Sequence, residues 1–357
     1  MNVRLLSALR RCAYAAVLGV ALSVPQDAHA SCINNSADTR LQTFCLVEES
    51  KGKLMLRETL EALDARIKRE GYARGLGLPG EVPAQQFTAS AFPILDYSSN
   101  VNGGNPVKPL VLGEVTFDGD PALYRKEGAL AGAGISTNGR VIYGPGRYAD
   151  LSIGASYLVS PEHSSDITRI AVSACSKNQI VPLWFVDACL AASRTDREIS
   201  DDQSRNLSLS AVHLIKSESG NYHQLGAGIR RVFDTSYDQN QLVFEIETIR
   251  PAGIYTALSA SVGAAVENEL ATRQSFSATI GTNLAKRPLR ATVIMSHSDG
   301  GKLLGIDRAD RSQSISLTYA LSPRFSLSLG YQNTDSSIDY FDTSEPTLSL
   351  QFAPVAF

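Results

Sequence analysis

Long segments in which apolar and small polar residues alternate one by one recur through most of this chain. They constrain its fold more than any other feature. In "QLVFEIETI", Leu242, Phe244, Ile246 and Thr248 fall on one side, and Val243, Glu245 and Glu247 on the other. In "SFSATIGTNL", Phe276, Ala278, Ile280, Thr282 and Leu284 alternate with Ser275, Ser277, Thr279 and Gly281. "SISLTYAL" sets Ile315, Leu317, Tyr319 and Leu321 against Ser314, Ser316, Thr318 and Ala320, and "FSLSLGYQ" repeats the pattern from Phe325 to Gln332. "PLRATVIM" sets Leu289, Ala291, Val293 and Met295 against Arg290 and Thr292, and Ile294 interrupts its polar side. A period of two denotes strands with one apolar and one polar face.

A two-layer sandwich would carry this pattern, and so would a barrel in a membrane. Three features favour the barrel. The segments reach the length that a tilted strand needs to cross a bilayer, about ten residues. Tyr255, Tyr319, Phe325 and Tyr331 lie toward segment ends, where interface girdles form. The connections also alternate in length. Reading back from the C-terminus, "QNTDSSIDYFDTSE", "SHSDGGKLLGIDRADR", "AVENELATR", "FDTSYDQ", "SRTDREISDDQ", "SPEHSS" and "FDGDPALYRKE" are expected as outer loops. "LSPRF", "LAKRP", "IRPAG", "KSESG" and "GPGR" are expected as short inner turns. The segment between Cys175 and Cys189, with the single tryptophan Trp184, is expected as a further inner loop.

The expected fold is therefore all-β: a transmembrane antiparallel β-barrel of about 14 strands (about 12–16) behind a short N-terminal helical segment. The barrel is assigned to residues 109–357, with "PLVLGEVTF" as its first strand. Residues 81–108 are read as a linker or an added strand through "FTASAFPILDY".

The N-terminal region reads differently. Arg4, Arg10 and Arg11 precede a short apolar run, Ala13 to Val24, and Ala28, His29 and Ala30 form a small-residue cleavage pattern. Residues 1–30 are thus expected to be a signal peptide, placing the mature chain in an oxidising compartment. Residues 31–80 form a periplasmic helical segment. Leu56, Leu60, Leu63 and Ile67 recur at helical spacing within a helix from about Lys53 to Glu70, and a shorter helix covers about Thr39 to Glu49. This segment either packs on itself or acts as a plug whose apolar stripe docks in or under the barrel.

Four cysteines follow the expected signal, and their spacing suggests Cys32 with Cys45 and Cys175 with Cys189, although four cysteines allow three connectivities. Their spacings do not match a metal site, and no metal or cofactor is expected. The net charge of -3, with basic residues scattered along the chain, gives no nucleic-acid signature. No G-x-S-x-G or H-E-x-x-H motif occurs. His163 and His297 have Ser and Asp neighbours near expected outer loops, but the chain is read as a non-enzyme, with a barrel hydrolase as the remote alternative.

The tail "TLSLQFAPVAF" resembles the C-terminal strand of Gram-negative outer-membrane β-barrel proteins, in which a terminal Phe after alternating apolar residues is read by the barrel-insertion machinery. Phe357 and Val355 match that signal. Leu348, Leu350 and Phe352 have the opposite parity, so a bulge near Pro354 is expected to reconcile the two series. The helical segment ahead of a barrel of this size also resembles the barrel of the surface lipoprotein assembly modifiers. Those carry helical repeats, for which about fifty residues are too few.

The resemblance implies export to the bacterial outer membrane, with lipid, lipopolysaccharide and the insertion machinery as partners. It implies passive or gated passage of small hydrophilic solutes. A protein-handling barrel with a surface-protein partner is the alternative. Arg230, Glu245, Glu247 and Arg290 are the candidate pore-lining charges, since each opposes the apolar series of its own strand. They could instead be lumen ion pairs that tie strands together. The sequence does not specify an oligomeric state.

Overall fold

The computed structural model describes Cys32 and residues 38–51, 57–71, 85–112, 114–250, 253–285, 287–352 and 355–356. The expected signal peptide and Phe357 lie outside these residues. Two helices come first, α1 (Thr39–Ser50) and α2 (Arg57–Arg69), close to the expected positions. Asp38 caps α1, its Oδ1 accepting the Arg40 backbone N–H at 2.8 Å.

The barrel begins at β1 (Gln85–Ser98). A small hairpin follows, β2 (Leu110–Leu112) and β3 (Val115–Phe117). Then come β4 (Gly128–Gly144), β5 (Arg147–Ser160), β6 (Ser165–Val181), β7 (Trp184–Asp196), β8 (Asp201–Lys216), β9 (Tyr222–Phe233) and β10 (Asp238–Ile249). They are followed by β11 (Tyr255–Gly263), β12 (Ala271–Leu284), β13 (Arg287–Leu303), β14 (Ile306–Ser322), β15 (Phe325–Ser336), β16 (Thr343–Phe352) and β17 (Val355–Ala356).

Each strand from β4 to β16 pairs antiparallel with the next, and β1 pairs with both β4 and β16. The result is a closed meander of 14 strands. Closure leaves no sheet edge. Eight-stranded barrels are filled by side chains and 16- to 18-stranded ones enclose a channel, so this size leaves an interior wide enough to hold protein or water.

The alternation decides which face is outside. Ile153, Leu190, Leu209, Ile229, Phe244 and Leu329 are among the large apolar residues exposed on the exterior. Their polar neighbours face inward and meet across strands: Ser90 with Ser136, Ser152 with Ser173, Ser259 with Ser277, and Thr318 with Ser328, each oxygen pair at 2.8 Å. A sandwich would bury the apolar faces against each other. Here they form the outer surface, and the polar faces enclose the lumen.

Several expectations are corrected. The first barrel strand is β1, so the barrel starts at Gln85 rather than at 109, and "PLVLGEVTF" instead supplies the β2–β3 hairpin of an outer loop. Pro93 within β1 and its mixed faces obscured the strand. The segment between Cys175 and Cys189 is no loop. Both cysteines lie within strands and oppose each other across β6 and β7, which join through Pro182 and Leu183 alone. Ala on both faces of these strands, with Cys on the lumen face, conceals the period of two. The expected long loop "SHSDGGKLLGIDRADR" is mostly strand. β13 and β14 turn at Leu304 and Gly305, both with positive φ as a tight hairpin of this kind requires.

Pro354, where a bulge is expected, lies outside the described residues, but the register shifts between the residues that flank it. Ile94 opposes Gln351 and Ala91 opposes Val355, so three steps on β1 match four on the tail. The extra residue puts position 355 on the same face of the ladder as 348, 350 and 352.

Candidate functional site: the lumen and its N-terminal helices

The helices sit in the end of the barrel that carries the short turns. Leu41, Cys45, Leu46 and Leu63 are buried against Phe185, Val212, Leu214, Tyr222, Ile249 and Tyr255 of the lumen wall. Removing leucine side chains from water is favourable, and this docking gives α1 its apolar partner. Cys32 pairs with Cys45 and belongs to the same cluster, tying the segment ahead of α1 to the helix. Phe44 meets the edge of Tyr222 with ring centres 5.8 Å apart, and the Tyr222 hydroxyl donates to Glu49 at 2.7 Å. Of the two readings of the helical segment, the structure shows the docked one. Tyr255, expected in an aromatic girdle, is instead buried beneath the helices, whereas Tyr319 and Phe325 lie on outward-facing positions near strand ends and Tyr331 faces outward in the middle of β15.

A second set of contacts is ionic. Arg140 of β4 grips Asp150 of β5 at 2.6 and 2.8 Å, and Asp150 lies 3.8 Å from Lys177 of β6. Lys177 binds Asp38 at 2.9 Å; Asp38 binds Arg40, and Arg40 binds Asp187 of β7 through both nitrogens at 2.9 and 2.8 Å. Charges alternate along the series, and the two members from the helical segment, Asp38 and Arg40, complete it. Burial works against a charged Asp38, but Arg40 and Lys177 beside it hold its carboxyl well below the usual carboxylate range. The Arg40 guanidinium also lies over the Phe185 ring at 4.9 Å.

α2 is fixed by its C-terminal end. The Glu70 backbone oxygen accepts from Gly146 N–H at 2.8 Å in the β4–β5 turn, and the Glu70 carboxylate accepts from the Thr43 hydroxyl at 2.8 Å. Burial pushes the Glu70 carboxyl up to about 7, against the Thr43 hydrogen bond and the Arg40 and Arg140 charges. Gly71 follows with φ of +84°, and any Cβ there would strike the Gly144 carbonyl, so only glycine permits this approach.

Arg230, Glu245 and Glu247 all line a lumen cavity of about 240 Å³ between the helices and β6–β10. Glu247 accepts the Asp38 backbone N–H at 3.1 Å. Arg230, Glu245 and Arg290 form no ion pair among the described residues. Arg290 stands apart on the lumen face of β13, opposite Gly281 and Thr318. The Cys175–Cys189 disulfide also lines the cavity. Lys177 and Asp187 were missed in the sequence because their strands were read as a loop. Each shares parity with a neighbouring cysteine, and that was the available signal.

At the outer end, "NVNGGNP" (Asn100 to Pro106) builds an inward fold. The Asn102 side chain accepts Lys126 N–H and donates to the Tyr124 carbonyl, both at 2.9 Å, and its own carbonyl accepts Ile199 N–H from the β7–β8 loop at 2.9 Å. Val101 is buried against Leu130, Leu158 and Ile167 inside the barrel. Trp184 stacks on His213 at the outer face of the inner rim, with ring centres 4.1 Å apart. His163 Nε2 bonds the Glu127 carbonyl at 2.8 Å, and His297 lies 3.7 Å from Asp299; neither ring is hydrogen-bonded to a serine among the described residues.

No family model and no curated protein matches the chain. Among solved structures it is similar to a variant of OccD1 (OprD), at 11% identity and a TM-score of 0.42 over 76% of this chain and 96% of that one. It is also similar to Pseudomonas aeruginosa OccK9 (OpdG), at 8% identity and 0.42 over 76% and 99%. Acinetobacter baumannii OccAB4 gives 10% identity and 0.41 over 77% and 100%. At this level of overlap the likeness carries no functional weight.

Proposed function

We propose that this chain is an outer-membrane barrel that passes small hydrophilic solutes, with the N-terminal helices narrowing the inner mouth. The observation that carries this reading is the two-sidedness of the closed sheet: an apolar exterior around a lumen of hydroxyls and charges. An apolar exterior of this extent fits lipid, and closed strands are one of the two structures that satisfy every backbone group in a bilayer. The solute path runs along β12–β16, where the wall is mostly Ser, Thr and Gly, because α1 rests on β7–β11 and the buried Val101 of the outer loop rests on β4–β6. Arg290 acts on the passing solute, Arg230 and Glu245 act on solute that enters the cavity beneath the helices, and Glu247 holds the helical segment. Val355 and Phe357 serve the insertion signal.

The test is conductance across a planar bilayer of the folded mature protein. Small, steady channels support passage around docked helices. Protein that is folded and inserted but electrically silent, with and without residues 31–80, would refute passage.

A further inference from the structure

The lumen face of β9 carries an unusual series. In "QLGAGIR" the alternation turns Gln224, Gly226, Gly228 and Arg230 inward in that order. Two adjacent side-chain-free positions thus lie between an amide and a guanidinium. Gly226 leaves the wall of the 240 Å³ cavity open, whereas a Cβ at Gly228 would strike the Leu209 carbonyl; the other sides come from Ser208 and Ser210 of β8, Glu245 and Glu247 of β10, and Asp38 and Arg40 of the helical segment. A Cβ at Gly226 would make ordinary contact with Glu245 at 3.5 Å, so a larger side chain there would enter the cavity without meeting the backbone.

Polar groups inside this cavity are unequally satisfied. Asp38, Arg40, Lys177 and Asp187 are paired with one another. Glu245 and Arg230 are not paired among the described residues. Gln224 is 8% exposed, and its Oε1 is buried without a hydrogen-bond partner among them. Leaving a buried acceptor unsatisfied is costly, so this group points to a missing donor. Glu245 and Gln224 lie at the helix end of the cavity and Arg230 at the other. Glu245 opposes Gly226, four residues along β9 from Arg230, or about 13 Å of strand.

We propose that this cavity binds a small zwitterion whose ammonium and carboxylate are separated by several bonds. The ammonium donates to Glu245 and Gln224, and the carboxylate lies on Arg230. A dipeptide spans about 7 Å when extended, so the Arg230 side chain must reach along the wall to its carboxylate, and a single α-amino acid would fall further short. This inference rests on the passage reading for how the solute arrives, but the binding itself does not require conduction.

The experiment is equilibrium dialysis of L-alanyl-L-alanine against the full mature protein folded in detergent, with its native disulfides. The N-acetylated and C-amidated forms of the same dipeptide run beside it. Saturable binding of the zwitterion, weakened at least about tenfold by either modification, is expected. Arg230→Gln should remove the preference for a free carboxylate and Glu245→Gln the preference for a free ammonium. Gly226→Val should abolish binding while both charges remain, with folding checked by heat-modifiable gel migration. Equal binding of all three dipeptides, or no saturable binding by folded protein, would overturn the proposal. Binding by a protein that conducts nothing would instead sink the passage reading alone, and conduction without binding would sink this inference alone.

Discussion

One row of lumen positions shows how differently the two sides of this barrel are used. It runs from Leu214 through Gln224, Glu247, Ala257, Thr279, Thr292 and Ser316 to Gly330. At one end Leu214 is buried beneath α1, and Glu247 holds the backbone of Asp38. At the other, Thr279 and Thr292 bond only each other at 3.0 Å, and Ser316 is exposed to the lumen. The same sheet, along one in-register row, offers a docking surface on one side and a hydroxyl wall on the other. Apolar rings and alternating charges need a partner to be satisfied inside a lumen. Short hydroxyls satisfy each other across strands and leave the space open.

This contrast breaks most readily at the buried ion pair. Asp187→Ala removes the two-pronged carboxylate from the Arg40 guanidinium and leaves it Asp38, and this should weaken helix docking by about 3 kcal/mol. Faster hydrogen exchange of α1 amides would report it. Replacing both partners by Met and Leu should recover most of the loss, since an uncompensated charge causes the damage. Leu41→Ala removes a fully buried side chain from the same interface and should cost about 2–5 kcal/mol in the same assay.

A smaller effect follows pH. Glu70 titrates at about 7 when docked, against an ordinary value of 4.5, so the docked state binds its proton more tightly than the released state. Its favourable contribution is complete below 4.5 and is lost as pH rises through 7. Protease cleavage of the helical segment should therefore increase between pH 5 and pH 8, about its ordinary and shifted values. Glu70→Gln should flatten that dependence. On the hydroxyl wall, Thr279→Val should change stability by about 1 kcal/mol or less and leave α1 exchange untouched, as thermal unfolding would show.

The hydroxyl wall was legible in the sequence. Its strands alternate cleanly because one face meets only the exterior and the other only small polar neighbours. Glu245 and Glu247 were legible for the same reason. The docking side was not. Beneath α1 the lumen face is Phe185, Val212, Leu214, Tyr222 and Ile249, so both faces of those strands are apolar in places and the period of two blurs. β1 was obscured by Pro93, and β6 and β7 by alanines on both faces and cysteines on the lumen face. The helical segment showed its apolar stripe, but its destination depended on contacts more than a hundred residues away, such as Arg40 with Asp187. Local pattern cannot encode such a contact.

The most direct test compares two engineered cysteines in the row described above, Leu214→Cys and Ser316→Cys, with the native disulfides intact. Each folded protein is treated with a charged, water-soluble thiol reagent, and the rate of modification is measured. Rapid modification at 316 and slow modification at 214 is the predicted result, with the rate at 214 rising when Asp187→Ala is added. Equal rates at the two positions in the otherwise native protein would contradict a lumen that is docked on one side and open on the other.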